Sequence, residues 1–261
     1  MIVFMSGVAK ADTWDGTAAI WTHGSGTESD PYLIESAANL AWIAEMVNGG
    51  VSTYSGQYFK MTTDIDLNSL SWTGIGTSED VSFQGTFDGD GHSVSGINTT
   101  TALFNVIKNA TIRNLSTAGT ATESGVIRLS YGEVVVSNCH SSVNVTGGGN
   151  HFAGGIVNNV MSGTATITNC SNAGTITTSD SRAGGIVANS QGECIISDCR
   201  NTGDVHSGGC SGGIIGRIES SGNQSTISKC FNKGKITRAG SVYDFAGGIV
   251  GGGECDRYEL L

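Results

Sequence analysis

Small and apolar residues return in blocks through the second half of the chain. Ala153-Gly154-Gly155-Ile156-Val157 recurs unchanged as Ala183-Gly184-Gly185-Ile186-Val187 and as Ala246-Gly247-Gly248-Ile249-Val250. Ser211-Gly212-Gly213-Ile214-Ile215 is nearly the same, and a looser copy, Ser124-Gly125-Val126-Ile127, stands ahead of them all. The reference glycines fall at 125, 155, 185, 213 and 248, so the intervals are 30, 30, 28 and 35 residues. A period in that range marks a solenoid, in which each repeat forms one turn and buries its apolar face on the next.

Aligning the turns from Leu103 onward gives ladders at fixed offsets. Ile112, Val136, Ile167, Ile196 and Ile227 stand three residues before a reference position held by Leu115, Cys139, Cys170, Cys199 and Cys230. Two residues after it come Thr117, Ser141, Asn172, Asn201 and Asn232. Four after come Gly119, Val143, Gly174, Gly203 and Gly234, and six after come Ala121, Val145, Ile176, Val205 and Ile236. Identical offsets point each ladder the same way from every turn, so the apolar ladders face inward. The Asn and Gly ladders are expected at the corner, where one asparagine can bond to the next or to backbone at a tight bend. Each turn of about 30 residues divides into three short strands, and parallel crossovers are right-handed. The predicted fold is an all-β, right-handed, single-stranded parallel β-helix.

The first hundred residues read differently. Tyr32-Leu33-Ile34 predicts a short strand, and Ser36 is a good N-cap for a helix starting at Ala37. Ala37, Leu40, Ile43, Ala44 and Val47 form one apolar stripe, and Asn48-Gly49-Gly50 supplies the stop. An open β-helix end exposes strand edges and an apolar interior, so this amphipathic helix, 37–48, is expected to plug it. Tyr58-Phe59-Lys60-Met61 and Ile65-Asp66-Leu67 predict further strands. Asp88-Gly89-Asp90-Gly91 predicts a turn between buried Phe87 and Val94. Its acids do not continue as an EF-hand, because His92, Ser93 and Thr99 stand where an acid or amide, a glycine and an acid are required. Residues 12–100 are therefore expected to form the capping region, and 101–261 the coils.

Composition narrows the picture. Forty glycines and one proline in 261 residues suit many tight turns, and a net charge of −10 argues against nucleic acid as a partner. No run of about 18 apolar residues occurs, so no membrane insertion is predicted; Ile2 to Val8 is a short apolar run. That run, followed by Ala9-Lys10-Ala11, reads as the remnant (1–11) of a truncated signal peptide, which predicts a secreted or cell-surface protein.

Chemistry-bearing residues are sparse in pattern. Four of the seven cysteines recur at spacings of 31, 29 and 31 residues, the mark of a stacked apolar ladder more than of a disulfide framework. Cys194 and Cys199 are separated by four residues without histidine support, so no zinc site is expected. His23, His92, His140, His151 and His206 are scattered outside any nucleophile motif and are expected as surface imidazoles. Glu133, Glu193, Asp198, Asp204 and Glu219 fall on different ladder positions, and Lys229, Lys233 and Lys235 cluster without an acid array. A carboxylate pair facing one cleft, which glycoside hydrolysis needs, is not legible. The ladder Thr111, Val135, Thr166, Ile195, Thr226 is too irregular for an ice-binding face.

The turns resemble the GLUG-repeat family of bacterial surface and secreted proteins. Residues 153 to 176 carry the motif: Ala-Gly-Gly-Ile-Val, then Ile167, Asn169, Cys170, Asn172, Gly174 and Ile176. Pro31-Tyr32-Leu33-Ile34, Leu40-Ala41-Trp42, Asp64-Ile65-Asp66-Leu67 and Gly85-Thr86-Phe87-Asp88-Gly89 are similar to the module that precedes such repeats. The likeness spans roughly residues 28 to 255 and implies a β-helix with an adhesin-like surface role. Zinc peptidases attached to some relatives are not implied, since His-Glu-x-x-His does not occur.

Together these readings predict a non-enzymatic extracellular module, a stalk or ligand-binding β-helix, with a carbohydrate-active enzyme as the alternative. No catalytic, cofactor-binding or metal-ligating residue is assigned, no cofactor is expected, and the surface ligand, glycan or protein, is unknown. Because the last Ala-Gly-Gly-Ile-Val starts a turn that Leu261 cuts short, the chain is expected to be a piece of a longer polypeptide. The cysteine ladder predicts that most thiols titrate as free in the denatured, unreduced protein; mass spectrometry showing most of them oxidised would refute it.

Overall fold

A computed structural model describes residues 11–147, 152–179, 181–219, 225–239, 245–253 and 259–260. The signal-peptide reading, Ala11 apart, therefore lies outside the described residues. The chain forms a right-handed parallel β-helix. Every described strand pair is parallel, and each strand pairs with its counterpart about one turn away.

One coil shows the path. Val157–Val160 lies in wall C, Thr164–Thr168 in wall B, and Ser171–Asn172 with Ile176–Thr178 in wall A. Ala183–Gly184 then makes a short step before Val187–Ser190 returns to wall C. Wall A holds eleven described strands, wall B nine and wall C six. The expected three-strand coil gains a fourth piece, because the Ala-Gly pairs stack into a four-stranded ladder of their own.

The aligned ladders are the observed registers. Val136 pairs with Ile112 and Ile167, and Ile196 with Ile167 and Ile227, and all five side chains are buried. Cys139, Cys170 and Cys199 follow them inward. Their thiols lie against carbonyls two residues back: Cys170 Sγ is 3.3 Å from Thr168 O, and Cys199 Sγ 3.2 Å from Ser197 O. Burial pushes the Cys194 thiol up to about 12, opposed by the Ser190 hydroxyl.

The asparagines divide into two ladders with different tasks. The corner between walls B and A is made one residue before the Leu/Cys position, where Asn114, Asn138, Asn169 and Asp198 have φ of 50° to 54°. Asn and Asp tolerate this left-handed bend better than most residues. Their amides chain along the outside: Asn169 Nδ2 donates to Asn138 Oδ1 at 2.7 Å, and Asn138 Nδ2 to Asn114 Oδ1 at 2.9 Å.

The other ladder, expected at the corner, instead lies inside. Asn172 and Asn201 are fully buried. Asn172 Nδ2 donates to Asn201 Oδ1, and Asn201 Nδ2 to Asn232 Oδ1, each at 2.8 Å. Each also closes its own turn, with Asn172 Nδ2 at 2.9 Å from Gly174 O and Asn201 Nδ2 at 2.8 Å from Gly203 O. The repeated second glycine makes room for this ladder. A Cβ on Gly155 would stand 2.6 Å from Asn172 Cγ and closer still to Gly185 O, and Gly185 and Gly213 face Asn201 and Asn232 in the same way.

Helix α1, Ala37–Asn48, plugs the first coil as expected. Ser36 Oγ accepts from Asn39 N at 3.2 Å, and Gly49 N donates to Glu45 O. Leu40, Ile43, Ala44 and Val47 join the core beside Phe59, Met61, Ile65 and Trp72. Polar bonds tie both helix ends to the first coils: Ala37 N donates to Asp12 Oδ2 (2.7 Å), Asn48 Nδ2 donates to Gly74 O (2.9 Å), and Asn48 Oδ1 accepts from Gly76 N (2.7 Å). Beneath it a chain of rings, Trp21, Tyr32, Phe59, Phe83 and Phe104, fills the interior with centroids 4.7 to 5.8 Å apart. Beyond Phe104 the buried apolar side chains are Ile, Val, Leu, Ala and Cys.

The inner asparagine ladder gives a stability test. Asn201→Ala empties a fully buried position, removes one bond from each of the Asn172 and Asn232 amides, and is expected to cost about 3 kcal/mol. Asn169→Ala, on the exposed ladder, should cost about 1 kcal/mol or less. Urea unfolding of both variants checks the order, and equal losses would refute it.

Candidate functional site

The corner between walls B and A gathers titratable side chains from several coils. The turn at Asp88–Gly91 divides two neighbouring clefts there. One, about 380 Å³, is lined by Asp90, Gly91, Asn114, Ser116, Asn138 and His140. The other, about 290 Å³, has Tyr58, Lys60, Thr86, Asp88 and Arg113 among its lining residues.

Parallel stacking brings these groups together from four coils. Lys60, Asp88 and Arg113 are successive members of one outward column of wall B. Ser93, Ser116, His140 and Ser171 form an adjoining column of wall A. Arg113 Nε bonds Asp88 Oδ2 at 2.8 Å, Asn114 Nδ2 bonds Asp88 Oδ1 at 2.8 Å, and Lys60 Nζ lies 3.0 Å from Asp90 Oδ2. Burial disfavours the Asp88 charge, but Asn114, the Asp90 N–H and Arg113 outweigh it and hold the carboxyl below the usual range. Saturated by these donors, Asp88 is a poor cation ligand. Among the described residues no group of three His, Cys, Asp or Glu side chains is placed to hold a metal ion.

Two imidazole pairs stand at this corner, and His140 of the second lines the larger cleft. His92 Nδ1 lies 3.4 Å from Asp64 Oδ1, which also accepts from Ser93 N at 2.8 Å and Ser93 Oγ at 3.1 Å. The Ser93 N–H, opposed by partial burial and helped by the Ser93 hydroxyl and His92, keeps Asp64 below its ordinary range. One coil further on, His140 Nδ1 stands 2.9 Å from Ser171 Oγ. A fixed carboxylate beside one imidazole, and a hydroxyl beside another, are the raw materials of general acid–base chemistry. The sequence hid these pairs because their members lie 28 and 31 residues apart. Only the ladder register, which sets His140 opposite Ser171, could have revealed the second.

The other singled-out residues take other places. His23 lies 2.7 Å from Glu35 on the exposed surface, and His206 Nδ1 is 2.8 Å from Thr237 Oγ1. His151 and Cys255 lie outside the described residues. Glu219 joins Arg182, Asn189 and Gln191 in a network beside wall C. Burial opposes its charge, but Asn189 and Arg182 prevail and lower its pKa. A Gly-x-Ser-x-Gly spacing occurs at Gly209-Cys210-Ser211-Gly212-Gly213. It is no nucleophile elbow: Ser211 is fully buried, and its Oγ bonds Ser207 Oγ at 2.7 Å and Thr237 O at 2.9 Å.

No family model matches the chain. The chain is 33% identical over 168 residues to Halomucin of Haloquadratum walsbyi, covering 55% of this chain and 2% of that protein. It is 30% identical over 131 residues to a "Putative Gly-rich membrane protein" of Evansella cellulosilytica, covering 45% and 14%. It thus spans only a small part of the curated relatives it matches. A solved structure from Bacteroides ovatus, described as a putative immunoglobulin A1 protease, superposes with a TM-score of 0.70 at 22% identity, over 92% of this chain and 80% of that one. The shared feature at that identity is the fold.

This match corrects the expectation of a non-enzymatic module. That expectation rested on scattered acids, yet the same architecture is carried by a chain described as a protease. Scatter along the sequence is a poor guide here, since coils one turn apart bring distant side chains into one cleft.

The lowered carboxyls predict the acid response. Asp64, Asp88 and Glu219 contribute stability that is present above their unfolded pKa of about 4 and is lost as pH falls through their lower folded values. The melting temperature should therefore drop below about pH 4. Asp88→Asn/Glu219→Gln should melt lower than wild type at pH 7 and lose less on acidification; parallel pH curves would refute this.

Proposed function

We propose that the chain is a β-helical module of an extracellular, surface-associated hydrolase that acts on a glycosylated macromolecule, with the cleft between walls B and A as the place where substrate meets titratable groups. The observation that carries the reading is His140, a lining residue of the cleft, beside Ser171, with the His92–Asp64 pair on the same corner next to the lining Gly91, on a fold shared with a chain described as a protease. In this reading Asp64 orients His92, leaving the other ring nitrogen to move a proton, and His140 takes the proton of the Ser171 hydroxyl. The outward hydroxyls and amides around them suit a polar substrate chain.

The extracellular placement is supported by the naming of the Evansella relative as a membrane protein. Among the described residues no helix is long and apolar enough to cross a membrane. Membership of the GLUG-repeat group is part of the same proposal, supported by the motif residues, which stand in register from coil to coil.

Incubation with immunoglobulin A1 and with a panel of acidic and neutral polysaccharides tests the reading. New protein fragments or new reducing ends are expected, with His92→Asn and His140→Asn each lowering turnover about a hundredfold at unchanged melting temperature. No turnover of either substrate class, or full activity in both variants, would overturn it.

A further inference from the structure

Most cations of the described chain are neutralised where they stand. Lys60 pairs with Asp90, Lys108 with Glu79, Arg113 with Asp88, Arg128 with Glu123 and Arg182 with Glu219. Arg217 and Arg238 also engage partners. Arg200, Lys229, Lys233 and Lys235 make no ion pair among the described residues, and all four are exposed.

These four stand together. Strand alternation turns Phe231, Lys233 and Lys235 outward on wall A, while Asn232 and Gly234 turn in. Arg200 is the register partner of Phe231 one coil earlier, and Lys229 sits at the left-handed corner that leads into the same strand. Phe231 is 54% exposed between the cations. Among the described residues the nearby acids are fewer: Asp198 at the preceding corner, and Asp204, whose Oδ1 accepts from Lys235 N at 2.8 Å. In a chain of net charge −10 this is a local cationic island.

We infer that this face binds an anionic polysaccharide. Outward residues of one strand stand about 6.6 Å apart and neighbouring coils about 4.8 Å apart. The cations therefore form a flat lattice that meets anions spread along a polymer better than it encloses one small ion. The exposed Phe231 ring offers an apolar surface for the C–H face of a sugar. A nucleic acid fits less well: a duplex carries a charge about every 1.7 Å, and the acidic remainder of the molecule repels such a density. A glycan with one charge per sugar or disaccharide meets less of that repulsion. The face lies on wall A beyond His140 and Ser171, one coil on from Ser171, and the inference does not depend on the hydrolytic reading.

Binding of the whole chain to immobilised dextran sulfate, polygalacturonate, neutral dextran and a single-stranded oligonucleotide tests it. At least one of the two anionic glycans should bind, with affinity falling as salt rises, and neutral dextran should not. Arg200→Gln/Lys233→Gln/Lys235→Gln should weaken that binding by at least about tenfold at unchanged melting temperature. Phe231→Ala should weaken it in high and low salt alike, whereas Lys108→Gln, which removes a cation of wall C, should leave it intact. Absence of glycan binding at low salt, an unaffected triple variant, an equal loss in Lys108→Gln, or tighter binding of the oligonucleotide would overturn the inference.

Discussion

The fold rests on a steric and hydrogen-bonding bargain between asparagine and glycine in the interior. Asn172 and Asn201, both buried, each close their own turn and donate to the next amide along the axis, the second of them to Asn232. The amide needs the volume that a Cβ on Gly155, Gly185 or Gly213 would take. A buried amide is costly when unpaired, so the ladder is stable only when every coil supplies its member in register. That requirement converts a local motif into a long-range constraint, and it fixes where every outward side chain stands.

The start of the ladder shows the constraint by its partial loss. Thr117 and Ser141 hold the position in earlier coils. The Ser141 hydroxyl accepts from Val143 N at 3.3 Å, while the buried Thr117 hydroxyl has no hydrogen-bond partner. A single hydroxyl cannot both close a turn and reach the next coil, as an amide does. These coils draw instead on the ring-filled interior beneath α1, where burial of each large side chain contributes about 1.5–3 kcal/mol. The helix thus closes the end and also seals the region in which the amide ladder has not yet begun.

With the interior so occupied, the outer faces are free to differ. Walls B and A meet at a corner rich in paired ions and imidazoles. Further along wall A the cations stand unpaired among the described residues beside an exposed ring. A solenoid allows this because substitution of an outward residue leaves the inward ladders untouched.

The β-helix, its period, its inward ladders and the capping helix were legible in the sequence, because each is a local pattern repeated at one interval. Ser36 and the stripe from Ala37 to Val47 specify the helix from adjacent residues alone. The role of the two asparagines was legible only in part. Both recur at fixed offsets, but nothing local says that Asn169 bends the chain outside while Asn172 lies inside. The candidate site was legible only in part: the aligned ladders set His140 opposite Ser171, but that the two side chains bond, and that Asp64 meets His92, is decided by stacking of the coils. Sequence determined what repeats, since repetition needs only local chemistry. Tertiary structure decided which unlike residues meet, since contacts across coils depend on the length of every intervening turn.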